Sequence, residues 1–181
     1  PPFFTDVVLS LTQGTDLSLH NYTAFADILA FPLIPLFGLT ATFNIICIGL
    51  TDLTAVCTYL LALRTIGRAP EAWLTGAAFA FSPVLVTRST GHFSLVAAAP
   101  LPVFVLCLLN AGRTRNLWWG WGAGAAMAWA VTCDPYYGIV CIIAAACFLC
   151  VEWLRIRPSA AARTTGILRA LDLLVVSVAG F

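Results

Sequence analysis

The chain has 181 residues, 61% of them hydrophobic and only 9% charged, with nine basic and eight acidic residues for a net charge of +1. A water-soluble domain carries about 25% charged residues, and a charge so near zero gives no footing for a nucleic-acid partner. The lipid bilayer is therefore the expected solvent and partner, and function is expected where polar groups break the apolar pattern.

The sequence opens at Pro1 and stops inside an apolar run at 173–181, so it reads as an internal stretch of a longer chain. Residues 5–24 are polar or mixed. Phe25, Ile28, Leu29, Leu33 and Leu36 then recur at helical spacing with Asp27 opposed, interrupted by Pro32 and Pro35 and closed by Gly38. This stretch is too short to span. Residues 1–38 read as an external loop with an amphipathic helix at the membrane surface. Asn21-Tyr22-Thr23 matches a glycosylation sequon, a pattern too short to carry weight.

A spanning helix needs about 20 apolar residues. Residues 39–181 supply a series of such runs. The first covers 39–63 and ends at Arg64 and Arg68. Ala69-Pro70-Glu71 starts a second, with Pro where a first helical turn tolerates it, and it extends to about Val86. The polar loop Thr87-Arg88-Ser89-Thr90-Gly91-His92 follows. A third run covers 93–110 and a fourth 116–133. Asp134-Pro135-Tyr136-Tyr137 breaks the pattern, a fifth covers 138–153, and a sixth begins near 170. The expected fold is all-α: a transmembrane helical bundle of about five spans plus the start of a sixth.

All nine basic residues are Arg, and eight of them fall in three connectors: Arg64/Arg68, Arg113/Arg115, and Arg155, Arg157, Arg163 and Arg169. These alternate with the connectors holding His92 and Asp134. Cytoplasmic loops collect basic residues, so the Arg-rich connectors are expected inside, and the N-terminal loop, the His92 loop and the Asp134 turn outside. Trp118, Trp119, Trp121 and Trp153 then form an inner aromatic belt, and Tyr136 and Tyr137 an outer one. The seven cysteines lie in or beside apolar runs, where free Cys behaves as a small hydrophobe; Cys147-x-x-Cys150 has no second pair in a loop to make a metal site.

The expected outer face gathers Asp16, His20, Arg88, His92 and Asp134. Asp16 and His20 are four apart, so a helical turn would put them on one side. Arg88 breaks the charge bias, and a cation kept outside can hold an anion such as phosphate. Ser82-Pro83, Pro100 and Pro102 break the second and third runs, and irregular backbone at membrane depth is tolerated where it lines a cavity. Asp52, between Thr51 and Thr54, lies mid-span, where a carboxyl is either functional or bonded to neighbouring hydroxyls.

Several segments together resemble bacterial membrane glycosyltransferases of the GT-C type. They are Pro2-Phe3-Phe4-Thr5-Asp6, the stretch from Gly14 to Asn21, Pro32-Leu33, Phe43-Asn44, Phe79-Ala80-Phe81-Ser82-Pro83 followed by Gly91-His92, Pro100-Leu101-Pro102, and Asp134-Pro135-Tyr136-Tyr137. The resemblance implies a multi-pass enzyme of the bacterial inner (plasma) membrane. Such an enzyme moves a sugar from a polyprenyl-phosphate donor to a glycan, lipid or protein acceptor on the extracytoplasmic face. It implies a principal catalytic Asp upstream of Pro1. Within the chain it leaves Asp16, His20 and Asp134 as candidates for acceptor contacts or for a divalent metal ion, and Arg88 and His92 for the donor phosphate. Deprotonating an acceptor hydroxyl needs a carboxylate, and a phosphate leaving group needs positive charge. The other reading is a transporter or flippase-like protein with a midplane path at Asp52.

Overall fold

The computed structural model describes residues 4–5, 15–16, 23–89 and 93–155. Across these residues the chain is all-α. The one exception is a two-residue antiparallel pairing of β1 (Phe4–Thr5) with β2 (Thr15–Asp16), Phe4 opposite Asp16. Seven α-helices follow: α1 (Ala24–Ala30), α2 (Ile34–Ile66), α3 (Ala69–Ala80), α4 (Pro83–Ser89), α5 (Pro100–Thr114), α6 (Leu117–Cys133) and α7 (Pro135–Arg155), with a short 3₁₀ turn at Phe93–Val96 before α5.

Helix boundaries follow local chemistry. At Gly38 α2 bends through φ 75°, ψ 169°, and it ends where Gly67 takes the left-handed conformation and returns its N–H to the Leu63 carbonyl at 3.0 Å. Thr51, Thr54 and Thr58 would leave hydroxyls in apolar surroundings, but each donates to a carbonyl four residues back, at 2.8–2.9 Å. The Asn116 side chain caps α6 by accepting from the Trp118 N–H at 3.0 Å.

Two expected runs are divided. The second stops at Ala80 and restarts at Pro83, which has no N–H to donate and disfavours helix at Ser82. The third is not one helix over 93–110. Pro100 and Pro102 stand in the first turn of α5, where a missing N–H costs nothing, so they start a helix instead of kinking one. Helix α1 divides its apolar side chains. Phe25 and Ala26 pack inward, while Ile28 and Phe31 are open.

Helices α2 and α3 pack closely because Gly76 has no side chain: a Cβ there would lie 2.6 Å from the Ala55 carbonyl oxygen. The core runs through α5, α6 and α7, with Phe104, Met127, Ala130, Cys133 and Cys141 buried together and Ile46 and Leu50 of α2 against them. Large apolar side chains, including Ile48, Leu74, Ile142 and Ile143, remain open on the outside. By length and composition, α2 and α7 are the described helices able to cross a membrane.

Candidate functional site

The described arginines sort to two ends. At one end Arg64 Nε donates to Asn110 Oδ1 at 3.3 Å, and Arg113 reaches the Arg64 carbonyl at 3.5 Å. Nearby, the buried Glu152 accepts from Arg115 at 3.0 Å and from Arg155 at 3.1 Å. A carboxylate so buried needs both partners, and Glu152, which the sequence pattern does not single out, is what ties α7 to the α5–α6 turn.

The other end is built around the α6–α7 junction. Asp134 follows the last residue of α6 in extended backbone, and Pro135 pre-sets the first turn of α7. Asp134 is completely buried (0% exposed). Its Oδ1 accepts the Tyr136 N–H at 2.8 Å, its carbonyl accepts the Tyr137 N–H at 2.9 Å, and its own N–H donates to the Ala130 carbonyl at 2.9 Å. One residue thus closes α6 and caps α7, with a carboxylate at the helix end whose dipole favours it. The Tyr137 hydroxyl donates to the Leu95 carbonyl and anchors the Phe93–Val96 turn to α7. Phe25 of α1 meets Trp129 of α6 edge-on, ring centres 5.3 Å apart, so α1 lies towards this end too.

Arg88 stands in the last turn of α4 with its side chain exposed. Its charge and that of the Asp134 carboxylate both act on the Tyr137 phenol, so the three groups share one electrostatic neighbourhood. Arg88 and Asp134 therefore lie at the same end, the one exposed and the other buried. Asp16 lies in β2, so its backbone is a strand and not the helical turn that would align it with His20; His20 and His92 lie outside the described residues. Tyr137 is the member to which the sequence assigned an aromatic belt and a place in the Asp134-Pro135-Tyr136-Tyr137 segment but no role in the site. Its adjacency to Asp134-Pro135 was the available signal.

A metal would need several ligating side chains together. Among the described residues no three of His, Cys, Asp and Glu gather that way, and the buried Asp134 is committed to capping. Asp52 is exposed on α2, at a cleft beside the α3–α4 break that neither Arg88 nor Asp134 lines.

A family described as "Domain of unknown function (DUF6311)" matches residues 23–181. The chain belongs to that family. No curated protein matches the chain, and no solved structure does. The DUF6311 match takes in all seven helices, Arg88, His92 and Asp134, and begins just ahead of α1.

Proposed function

We propose that this DUF6311 chain is part of a multi-pass bacterial inner-membrane glycosyltransferase. In this reading it transfers a sugar from a polyprenyl-phosphate donor to an acceptor on the extracytoplasmic face. The observation that carries the reading is the separation of ends. Paired, Arg-rich connectors occupy one end, as a cytoplasmic face requires. Arg88, Tyr137 and Asp134 lie towards the other, where α4, the 3₁₀ turn and the start of α5 replace continuous helix. Short broken helices around a polar group are what a membrane protein tolerates at a cavity wall.

In this site Arg88, aided by His92, holds the donor phosphate through charge-assisted bonds and steadies the charge that develops on it as the sugar leaves. Asp134 is a positioning residue: it fixes the first turn of α7 and through it Tyr137. Asp16 and His20 remain the acceptor-side groups, with the principal base upstream of Pro1.

The test is sugar transfer by the full-length protein in membranes with a polyprenyl-phosphate-linked donor. Arg88→Ala and His92→Ala are expected to lower transfer at least tenfold, since each 1.36 kcal/mol of lost transition-state binding is about tenfold. Arg88→Lys restores part of it, because an ammonium keeps the charge and loses the planar fork. Arg68→Ala, at the opposite end, leaves transfer unchanged. Full transfer in both Arg88→Ala and His92→Ala would remove the assignment.

A further inference from the structure

Helix α3 stops short: its 12 residues make about 18 Å of helix, against roughly 30 Å of hydrocarbon core. Helix α2 continues past the place where it stops, and the residue it presents there is Asp52, midway between the bend at Gly38 and the turn at Gly67. The Asp52 carboxylate is exposed, and it makes no hydrogen bond or ion pair among the described residues. Two clefts meet at it. One, of about 340 Å³, leads along Thr51 towards Leu85 and Val96. The other, of about 300 Å³, is walled by Tyr59, Trp73 and Phe81. Trp73 and Phe81 are open, at 67% and 60% exposure.

Three features of this second cleft favour the same ligand charge. A carboxyl group on a mainly apolar helix is best satisfied by a partner of opposite charge. Aromatic rings attract cations to their faces. The C-terminal end of α3, at Phe81, carries the negative end of the helix dipole. No described arginine supplies the charge. Arg64, Arg113, Arg115 and Arg155 are engaged at the far end, Arg68 pairs with Glu71 at 2.8 Å, and Arg88 lines neither cleft. An inorganic cation fits poorly, since a hard ion needs about six oxygen ligands and the cleft offers one carboxyl among rings and methyl groups.

We propose that the Asp52 cleft binds an organic ammonium ion with an apolar body. The cationic centre sits between the carboxylate and the rings of Tyr59, Trp73 and Phe81. The apolar part lies against Ala55, Val56 and Ala77 and reaches the cleft from the lipid. Neither Arg88 nor Asp134 lines either cleft, and the inference does not depend on the glycosyl-transfer reading.

The experiment uses full-length protein in lipid nanodiscs and two probes of the same shape: benzyltrimethylammonium and its uncharged carbon isostere, neopentylbenzene. Saturable binding of the cation is expected, at least about tenfold tighter than that of the isostere, since only charge distinguishes them. Asp52→Asn should weaken the cation at least about tenfold and leave the isostere unchanged. Trp73→Leu should weaken it several-fold, while Trp118→Leu, at the other end, should not. The proposal is overturned by absence of saturable binding, as when another membrane helix fills the cleft with a basic side chain. Equal binding of the isostere, or full affinity in Asp52→Asn, also overturns it. Should Asp52→Asn fail to fold, the comparison of isosteres on the native protein and the exposed Trp73→Leu variant decide the matter.

Discussion

Asp134 shows how one side chain can look catalytic in a sequence and act structurally in the fold. As an acidic residue in a polar turn it belongs with acceptor-side groups. Buried to 0% and accepting the Tyr136 N–H at 2.8 Å, it is the cap of α7. Asp134→Ala should therefore destabilise the protein by roughly 0.5–2 kcal/mol, the usual cost of losing a cap. Asp134→Asn, which keeps an acceptor oxygen at the same place, should cost less. Denaturant titration of the detergent-solubilised protein, followed by helical circular dichroism, measures both. Equal losses for the two variants would show that the charge, and not the cap, is what the fold needs. The anchoring role of Tyr137 was not legible, because its bond to the Leu95 carbonyl joins positions 42 residues apart.

At the scale of elements, Pro and Gly decide where helices stop. The break at Ser82-Pro83, which ends the α3 run, was readable; the left-handed Gly67 that turns the chain back after α2 was not singled out. The placement of Pro100 and Pro102 was not readable: an apolar run with two prolines looks the same whether they kink a helix or open it. The intimacy of α2 and α3 was equally hidden, since Gly76 acquires its meaning from a carbonyl on another helix. A methyl at Gly76 would sit 2.6 Å from the Ala55 oxygen and 3.2 Å from Tyr59 Cβ, both belonging to α2 and neither free to swing away. Gly76→Ala should thus force the helices apart and cost about 1–3 kcal/mol, as overpacking does, despite the better helix propensity of Ala. The same unfolding titration measures the loss. An unchanged or raised midpoint would mean that the two helices separate freely.

For the whole molecule, the informative fact is that charge is sorted by end. Arg64, Arg113, Arg115 and Arg155 converge through Asn110 and Glu152, although the connectors that carry them are far apart in the chain. If that end faces the cytoplasm, a single cysteine at position 136 in a cysteine-free background is labelled in intact cells by a membrane-impermeant maleimide. One at position 68 is labelled only after permeabilisation; both native residues, Tyr136 and Arg68, have open side chains. Labelling of position 68 in intact cells would invert the orientation and move Arg88 to the cytoplasmic side.

By itself the sequence determined the helical class, the rhythm of apolar runs, the breaks at Pro and Gly, and the grouping of arginines into alternating connectors. All of these depend on composition and short-range periodicity, which a chain carries without regard to its fold. Only the tertiary structure decided that Glu152 anchors two arginines, that Asp134 is a buried cap, and that Asp52 faces an aromatic cleft instead of its neighbouring hydroxyls. Those outcomes depend on which helices lie side by side. Side-chain partners 37 or more residues apart, such as Arg115 with Glu152, are chosen by packing, and local pattern holds no record of it.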